Sequence, residues 1–221
     1  EIIMPFIVGK RSQPASGGSI SITPTGFIVH VFDTEGVDNF ITNGPLVVDV
    51  LVVGAGGGSG YSGAPSPSPD SRGSSAGGGG AGSVLIRKWQ SLNGSTTYPV
   101  IIGGAGVSQA VRRSTNPSNL STPGGDTIFN SPGNNGAPEF RAPGGAHGGE
   151  SVDWSDGYIN PTPTNNPLGC GGGGSIAWAD SNIVNGGNGA NASGFGFDGG
   201  PSPIGSNPTY STIIGGGGGG A

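Results

Sequence analysis

Cys170 is the only cysteine of the chain, so a nucleophilic role would need a histidine base close in space, and His30 and His147 are the only histidines. A small, half-buried residue packing as Ala or Ser would, directly ahead of the glycines at 171–174, asks less of the sequence. Glu139, Glu150, Asp153 and Asp156 have the chemistry for paired acid and base work on a glycoside. They lie in loop text without the apolar shielding that raises one carboxyl's pKa, so solvated surface groups are expected. The Asp/Asn-rich loops lack calcium-loop spacing and the histidines are isolated, so no metal is expected. Gly58-Ser59-Gly60-Tyr61-Ser62-Gly63 satisfies the G-x-G-x-x-G pattern of dinucleotide sites. That pattern needs a helix whose first amides hold the pyrophosphate, and Pro65, Pro67 and Pro69 do not permit one. The expectation is a protein that is not an enzyme and holds no cofactor.

What positions any functional residue must be built from an unusual text. The chain has 221 residues, of which 50 are Gly and 19 are Pro, with 10% charged and a net charge of −5. Glycine and proline at that level usually mean disorder, but disorder normally comes with high charge, and here charge is scarce while 32% of residues are hydrophobic and sharply clustered. An acidic chain with scattered basic doublets, such as Lys10-Arg11 and Arg112-Arg113, does not suit nucleic acid, which needs clustered cations to neutralise phosphate. No apolar run approaches a transmembrane helix, and no basic region precedes an apolar one at Glu1-Ile2-Ile3-Met4, so no signal peptide is expected.

The N-terminal part reads as strands. Residues 1–19 are expected to be an arm or attachment segment and 20–53 a β-strand subdomain. Ile20-Ser21-Ile22-Thr23 alternates as a half-buried strand does. In residues 27–32, Phe27, Val29 and Val31 share one face and Ile28, His30 and Phe32 the other, which places His30 on a covered face bonded to a neighbour. Turn chemistry at Glu35-Gly36 and Asp38-Asn39 leaves Phe40-Ile41 as a short strand. Residues 46–53 are nearly continuous Val and Leu, which implies burial on both faces and requires a partner for Asp49. Residues 83–87 and 98–102, joined through Asn93-Gly94, suggest a hairpin. No stretch has a helical period with caps.

From residue 54 to 221 glycine-dense segments alternate with polar, Pro- and Asn-rich loops. The segments are 54–60, 77–82, 103–106, 144–149, 171–174, 186–189 and 215–220. A Gly/Ser linker would not be partitioned in this way, nor would its loops carry Trp154, Tyr158, Trp178, Phe195 and Phe197. An extended polyproline-II-like chain has three residues per turn and therefore three faces. Packed side by side, such helices leave no room for a Cβ, and their N–H and C=O groups can bond to neighbours. The expected fold is mainly β and irregular with little or no α-helix: N-terminal strands in a small sandwich, packed on a polyglycine-II bundle. Its core is expected at Gly56, Gly57, Gly58, Gly78, Gly79, Gly172, Gly173, Gly217 and Gly218.

Val48-Asp49-Val50-Leu51-Val52-Val53-Gly54 with its glycine burst, Gly77-Gly78-Gly79-Gly80-Ala81-Gly82-Ser83-Val84, Tyr98-Pro99-Val100-Ile101-Ile102-Gly103-Gly104-Ala105-Gly106 and Gly124-Gly125-Asp126-Thr127 follow one another in order. This series resembles the glycine-rich domain of tailed-bacteriophage tail-fibre and related virion proteins. The alternation is similar to the receptor-binding tip adhesins of T-even-type phages, which carry a polyglycine-II sandwich. The resemblance implies a component of the virion surface, with other virion proteins, or copies of itself, as partners. It further implies loops that bind a host-surface glycan or outer-membrane protein. Under that reading Trp154, Tyr158 and Trp178 are the receptor-binding candidates, with Asp153 and Asp156 as polar partners, because aromatic residues dominate such interfaces. A non-adhesive fibre segment, head decoration or oligomerisation module fits the same text. An ice-binding or matrix protein is a third alternative, although no regular Thr or Ala period is present.

Overall fold

The computed structural model describes residues 6–7, 14–60, 76–108, 121–130, 137–151, 158–159, 170–173 and 199. The chain forms two compact units, each assembled from separated stretches. The first takes Glu1–Gly54, Val84–Gly104 and Asp126–Ala142; the second takes Ala55–Ser83, Ala105–Gly125 and Pro143–Ala221. Among the described residues there is no helix, and every strand pairing is antiparallel.

The strands of the first unit are β1 (Phe6–Ile7), β2 (Ala15–Ser16), β3 (Ser19–Ile22), β4 (Phe27–Val31), β5 (Gly36–Thr42), β6 (Leu46–Val53), β7 (Val84–Leu92), β8 (Thr97–Ile102), β9 (Thr127–Phe129) and β10 (Phe140–Ala142). They make a three-stranded sheet in the order β1-β4-β3, a five-stranded sheet β10-β9-β8-β5-β2 and a two-stranded sheet β6-β7. In the second unit β11 (Glu150–Ser151) pairs with β12 (Tyr158–Ile159).

Strand β4 and the residue after it alternate as their sequence requires: Ile28, His30 and Phe32 are buried and the residues between them are half-buried. His30 donates from Nδ1 to the Gly17 carbonyl at 2.8 Å and meets the Phe40 ring edge-on at 5.1 Å. Gly17 and Gly18 have φ of 109° and 61°, and a Cβ on either would fall on the carbonyl of Asn39 or Val31. Only glycine can make this tight passage from β2 into β3. Strand β3 is exposed along its whole length, not half-buried as its alternation suggests. Period two reports that a strand has two different faces, not that anything covers one of them.

Strand β6 has the bounds the valine run predicts, but only one of its faces is buried. Leu46, Val48, Val50 and Val52 are buried, whereas Val47 is 52% exposed. The inner residues join Phe40, Tyr98, Val100, Phe129, Phe140 and Leu92 in a single cluster, so the core draws on both the two-stranded and the five-stranded sheet. Four aromatic rings dominate it. Phe129 stacks on Tyr98 at 5.7 Å and on Phe140 at 6.0 Å, and meets Phe40 at 6.2 Å. The register explains the stack: β5, β8, β9 and β10 place one aromatic residue each on the same face at neighbouring positions.

The expected hairpin of residues 83–87 and 98–102 does not form. Strand β7 pairs with β6, and β8 pairs with β5 and β9. The Asn93-Gly94 link is therefore a corner between two sheets. Thr42 holds it, with its hydroxyl donating to the Asn93 carbonyl at 2.6 Å and accepting from the Thr96 amide at 3.1 Å. The buried Tyr98 hydroxyl accepts from the Asn93 amide at 2.7 Å. Pairing with β8 also extends β5 through Asp38 and Asn39, where the sequence suggests turns. The nine residues of β7 match the eight of β6 along their whole length, which the six-residue β8 does not.

Because β6 is covered on one side only, Val48→Ala and Val47→Ala should differ. Urea unfolding should show Val48→Ala losing about 2 kcal/mol or more from lost transfer energy and a cavity, and Val47→Ala losing less than about 1 kcal/mol. Equal losses would mean that both faces are buried.

Candidate functional site

Trp154, Asp153, Asp156, Trp178, Gly217 and Gly218 lie outside the described residues. The backbone of Tyr158 pairs with Ser151. The remaining predicted positions, Gly56, Gly57, Gly58, Gly78, Gly79, Gly172 and Gly173, fall in one array of extended segments in the second unit. Its described members are residues 55–60, 76–83, 105–108, 121–125, 143–149, 170–173 and 199, none of them assigned to a strand.

The hydrogen bonds of this array repeat every third residue. The amides of Gly77, Gly80 and Ser83 donate to the carbonyls of Gly149, Ala146 and Pro143 at 2.8–2.9 Å. Those partner numbers fall as the donors rise, so the two segments are antiparallel. Gly57 and Gly60 donate to Gly80 and Gly77, while Ala55 and Gly58 donate to Gly125 and Thr122. One segment thus serves two neighbours from alternate faces of a three-residue repeat. Gly145 and Gly148 donate to Ala55 and Gly58, and Ala146 and Gly149 donate to Cys170 and Gly173; here the numbers rise together and the segments are parallel. Gly173 donates in turn to Gly78 at 2.7 Å. A pleated strand bonds in its sheet plane to at most two neighbours. Segment 143–149 bonds to 55–60, 76–83, 121–125 and 170–173, which are four.

Space explains the glycines. A Cβ on Gly57 would meet the Ala146 carbonyl, one on Gly145 the Gly80 carbonyl, one on Gly148 the Gly77 carbonyl and one on Gly172 the His147 carbonyl, all well under 3.0 Å. Gly79 meets Gly57 in the same way, and Gly199 meets Gly172. Among the described residues, the glycines of this unit do not occupy the left-handed φ region; the glycines that do are Gly17, Gly18, Gly26 and Gly36, all in the first unit. Glycine is required here for its missing side chain, not for its backbone freedom. Gly57, Gly145 and Gly148 each turn two groups on two neighbours: Gly148 gives its N–H to Gly58 and, along the direction of the absent Cβ, a Cα–H to Gly77.

The nucleotide-pattern glycines, the cysteine and its histidine candidate find structural explanations. The amides of Gly58 and Gly60 are bonded to Thr122 and Gly77, so the G-x-G-x-x-G pattern offers no cradle for phosphate at these two positions. Cys170 is buried to 1% exposure, more than the half-burial its sequence context suggests, and its carbonyl takes the Ala146 amide at 2.9 Å. His147, also buried, bonds from Nδ1 to the Gly148 carbonyl at 2.9 Å. Among the described residues no three of His, Cys, Asp and Glu are grouped to hold a metal.

One array member is missed by the sequence reading. Residues 121–123 read as the end of a polar loop, yet Thr122 accepts from Gly58 and donates to Val107 at 2.9 Å. The pair Gly124-Gly125 with small residues before it is the signal that marks the segment.

The chain belongs to the glycine-rich domain family, whose profile matches residues 34–221. Among curated proteins and among solved structures nothing matches it.

The array predicts opposite outcomes for adjacent glycines. A Cβ on Gly56 would meet only the Gly80 carbonyl at 3.8 Å, an ordinary contact. In thermal unfolding, Gly57→Ala and Gly148→Ala should each lose about 1–3 kcal/mol or more by overpacking. Gly56→Ala should be neutral or gain about 0.4–1 kcal/mol through the unfolded chain. Similar losses at all three positions would refute the packing account.

Proposed function

We propose that the glycine segments form a bundle of parallel and antiparallel polyglycine-II helices, and that this bundle is the rigid frame of a phage tail-fibre or appendage adhesin. The observation that carries the bundle is the three-residue hydrogen-bond repeat with neighbours on more than two sides. Three residues per turn is the period of that helix, and glycine at the contacts is its steric condition. The run at 215–220, outside the described residues, has the length for a further member: six residues at about 3.1 Å each would make roughly 19 Å of such a helix. Gly217→Val with Gly218→Val should therefore lower the melting temperature; an unchanged melting temperature would make the run a passive tail.

The adhesin role is supported by the ordered series of segments and by the character of what joins them. A frame bonded through its backbone leaves the connecting loops free to differ, and loops on a rigid frame are where recognition residues are usually placed. The aromatics Trp154, Tyr158 and Trp178, with Asp153 and Asp156, then contact a glycan or outer-membrane protein of the host. The chain acts as part of the virion surface alongside other virion proteins.

Two measurements test this role. Antibody to the chain should label the distal end of the tail fibre in electron micrographs of assembled particles and should block adsorption. Purified Trp154→Ala and Trp178→Ala proteins should bind host cells at least about tenfold more weakly than the parent, the loss expected of interface hot spots. Label on the head, with adsorption intact, would replace the adhesin by a non-adhesive virion part.

A further inference from the structure

We propose a second ligand site, separate from the loop aromatics and independent of the adhesin role, on the β6-β7 sheet of the first unit: a stacking platform at Trp89 for an anionic saccharide. The site begins as a bulge. Val48 pairs with Gln90 and Val50 with Arg87, so Lys88 and Trp89 together stand opposite Asp49. An extra residue in a strand re-aims a side chain. Here it leaves four residues in succession, from Ile86 to Trp89, exposed, where a regular strand would alternate.

Trp89 is held in a costly state. Its φ is 56°, in the left-handed region that bulky residues rarely occupy, and it is 76% exposed. The Asp49 carboxylate fixes it by accepting the Trp89 amide at 2.9 Å. Blunting a free strand edge would account for the bulge and for Lys88, since both hinder pairing with another strand. It would not account for tryptophan, because glycine or asparagine takes this conformation at far lower cost. Strain that persists at an exposed aromatic points to use.

The surroundings select the ligand. Val47 and Ile86 lie exposed on the outer face of the sheet, giving a flat apolar border. Lys88, which shares the bulge with Trp89, is exposed, as is Arg87, which pairs with Val50 and so belongs to the other face; they are two of eight cations in a chain of net charge −5. Arg87 is steadied by a bond to the Ile86 carbonyl at 3.3 Å, and Gln90 by one to the Lys88 carbonyl at 2.6 Å. A flat aromatic face beside a lysine suits a sugar ring that carries sulfate, phosphate or carboxylate. An acidic peptide would instead dock by adding a strand, which the bulge opposes.

The experiment titrates the whole chain with dextran sulfate and with neutral dextran, following tryptophan fluorescence and calorimetry. Dextran sulfate should bind, more weakly as salt is raised, and neutral dextran should bind much less. Trp89→Gly removes the ring and relieves the backbone, so this variant should melt at or above the parent temperature yet lose at least about tenfold in affinity. Lys88→Ala should weaken binding and flatten its salt dependence, and Arg87→Ala should do so less. No binding at low salt, or binding by Trp89→Gly within about twofold of the parent, overturns the site. Preferential capture of an acidic peptide over the saccharide overturns the ligand class.

Discussion

Carbonyl oxygens occupy the places where Cβ atoms would otherwise stand, and the second unit depends on that. Gly57, Gly145, Gly148 and Gly172 each face a neighbour's carbonyl along the direction of the missing side chain. Backbones therefore approach closely on several sides at once. No side chain, however small, could be added at those points without separating the segments. The composition follows from the packing: glycine is dense where segments meet and absent from long stretches between them.

Magnitudes show why close approach matters as much as hydrogen bonding. Ordering a residue's backbone costs about 1–2 kcal/mol, and a net hydrogen bond returns about 0.5–1.5 kcal/mol. One amide bond per residue therefore does not offset the cost of ordering glycine. Each contact glycine adds a Cα–H directed at a carbonyl, about 0.5–1 kcal/mol, and the dispersion of closely packed backbones. Gly148, bonded through its N–H to Gly58 and through its Cα to Gly77, gathers both contributions. The first unit uses the opposite device. Its core is made by large side chains, with Phe129 between Tyr98 and Phe140, and its backbones stay at sheet spacing.

The sequence revealed some of this well and some of it badly, for physical reasons. The bounds of β6 and the buried face of β4 follow from hydrophobic pattern, because alternation records which side chains are covered. The single-faced burial of β6 does not, since valine is favoured in strands whether or not its outer face is covered. The partner of β7 was hidden too: strand pairing across 31 or more residues of sequence is decided by the core, and the adjacent Asn93-Gly94 invites the local choice. In the array, dense glycine announces itself, while Thr122 does not, because its role is played by backbone atoms that every residue has. The same limit hides Trp89. Nothing in its side chain signals a left-handed backbone; that comes from β7 having one residue more than β6 can pair.

The two devices place different demands on a changing sequence. A core of interlocked rings constrains the identity of every member, since each fills a volume its neighbours define. An array bonded through N–H, C=O and Cα–H constrains only which positions lack a Cβ. Ala55, Ala146 and Cys170 show the tolerance: all three sit in array segments and bond through their backbones, at positions where a side chain has room. The connections between segments carry no such requirement from the array itself. A chain of this kind can hold its frame fixed by a sparse rule of composition while the text between the glycines changes, and that separation suits a surface whose loops must meet different partners.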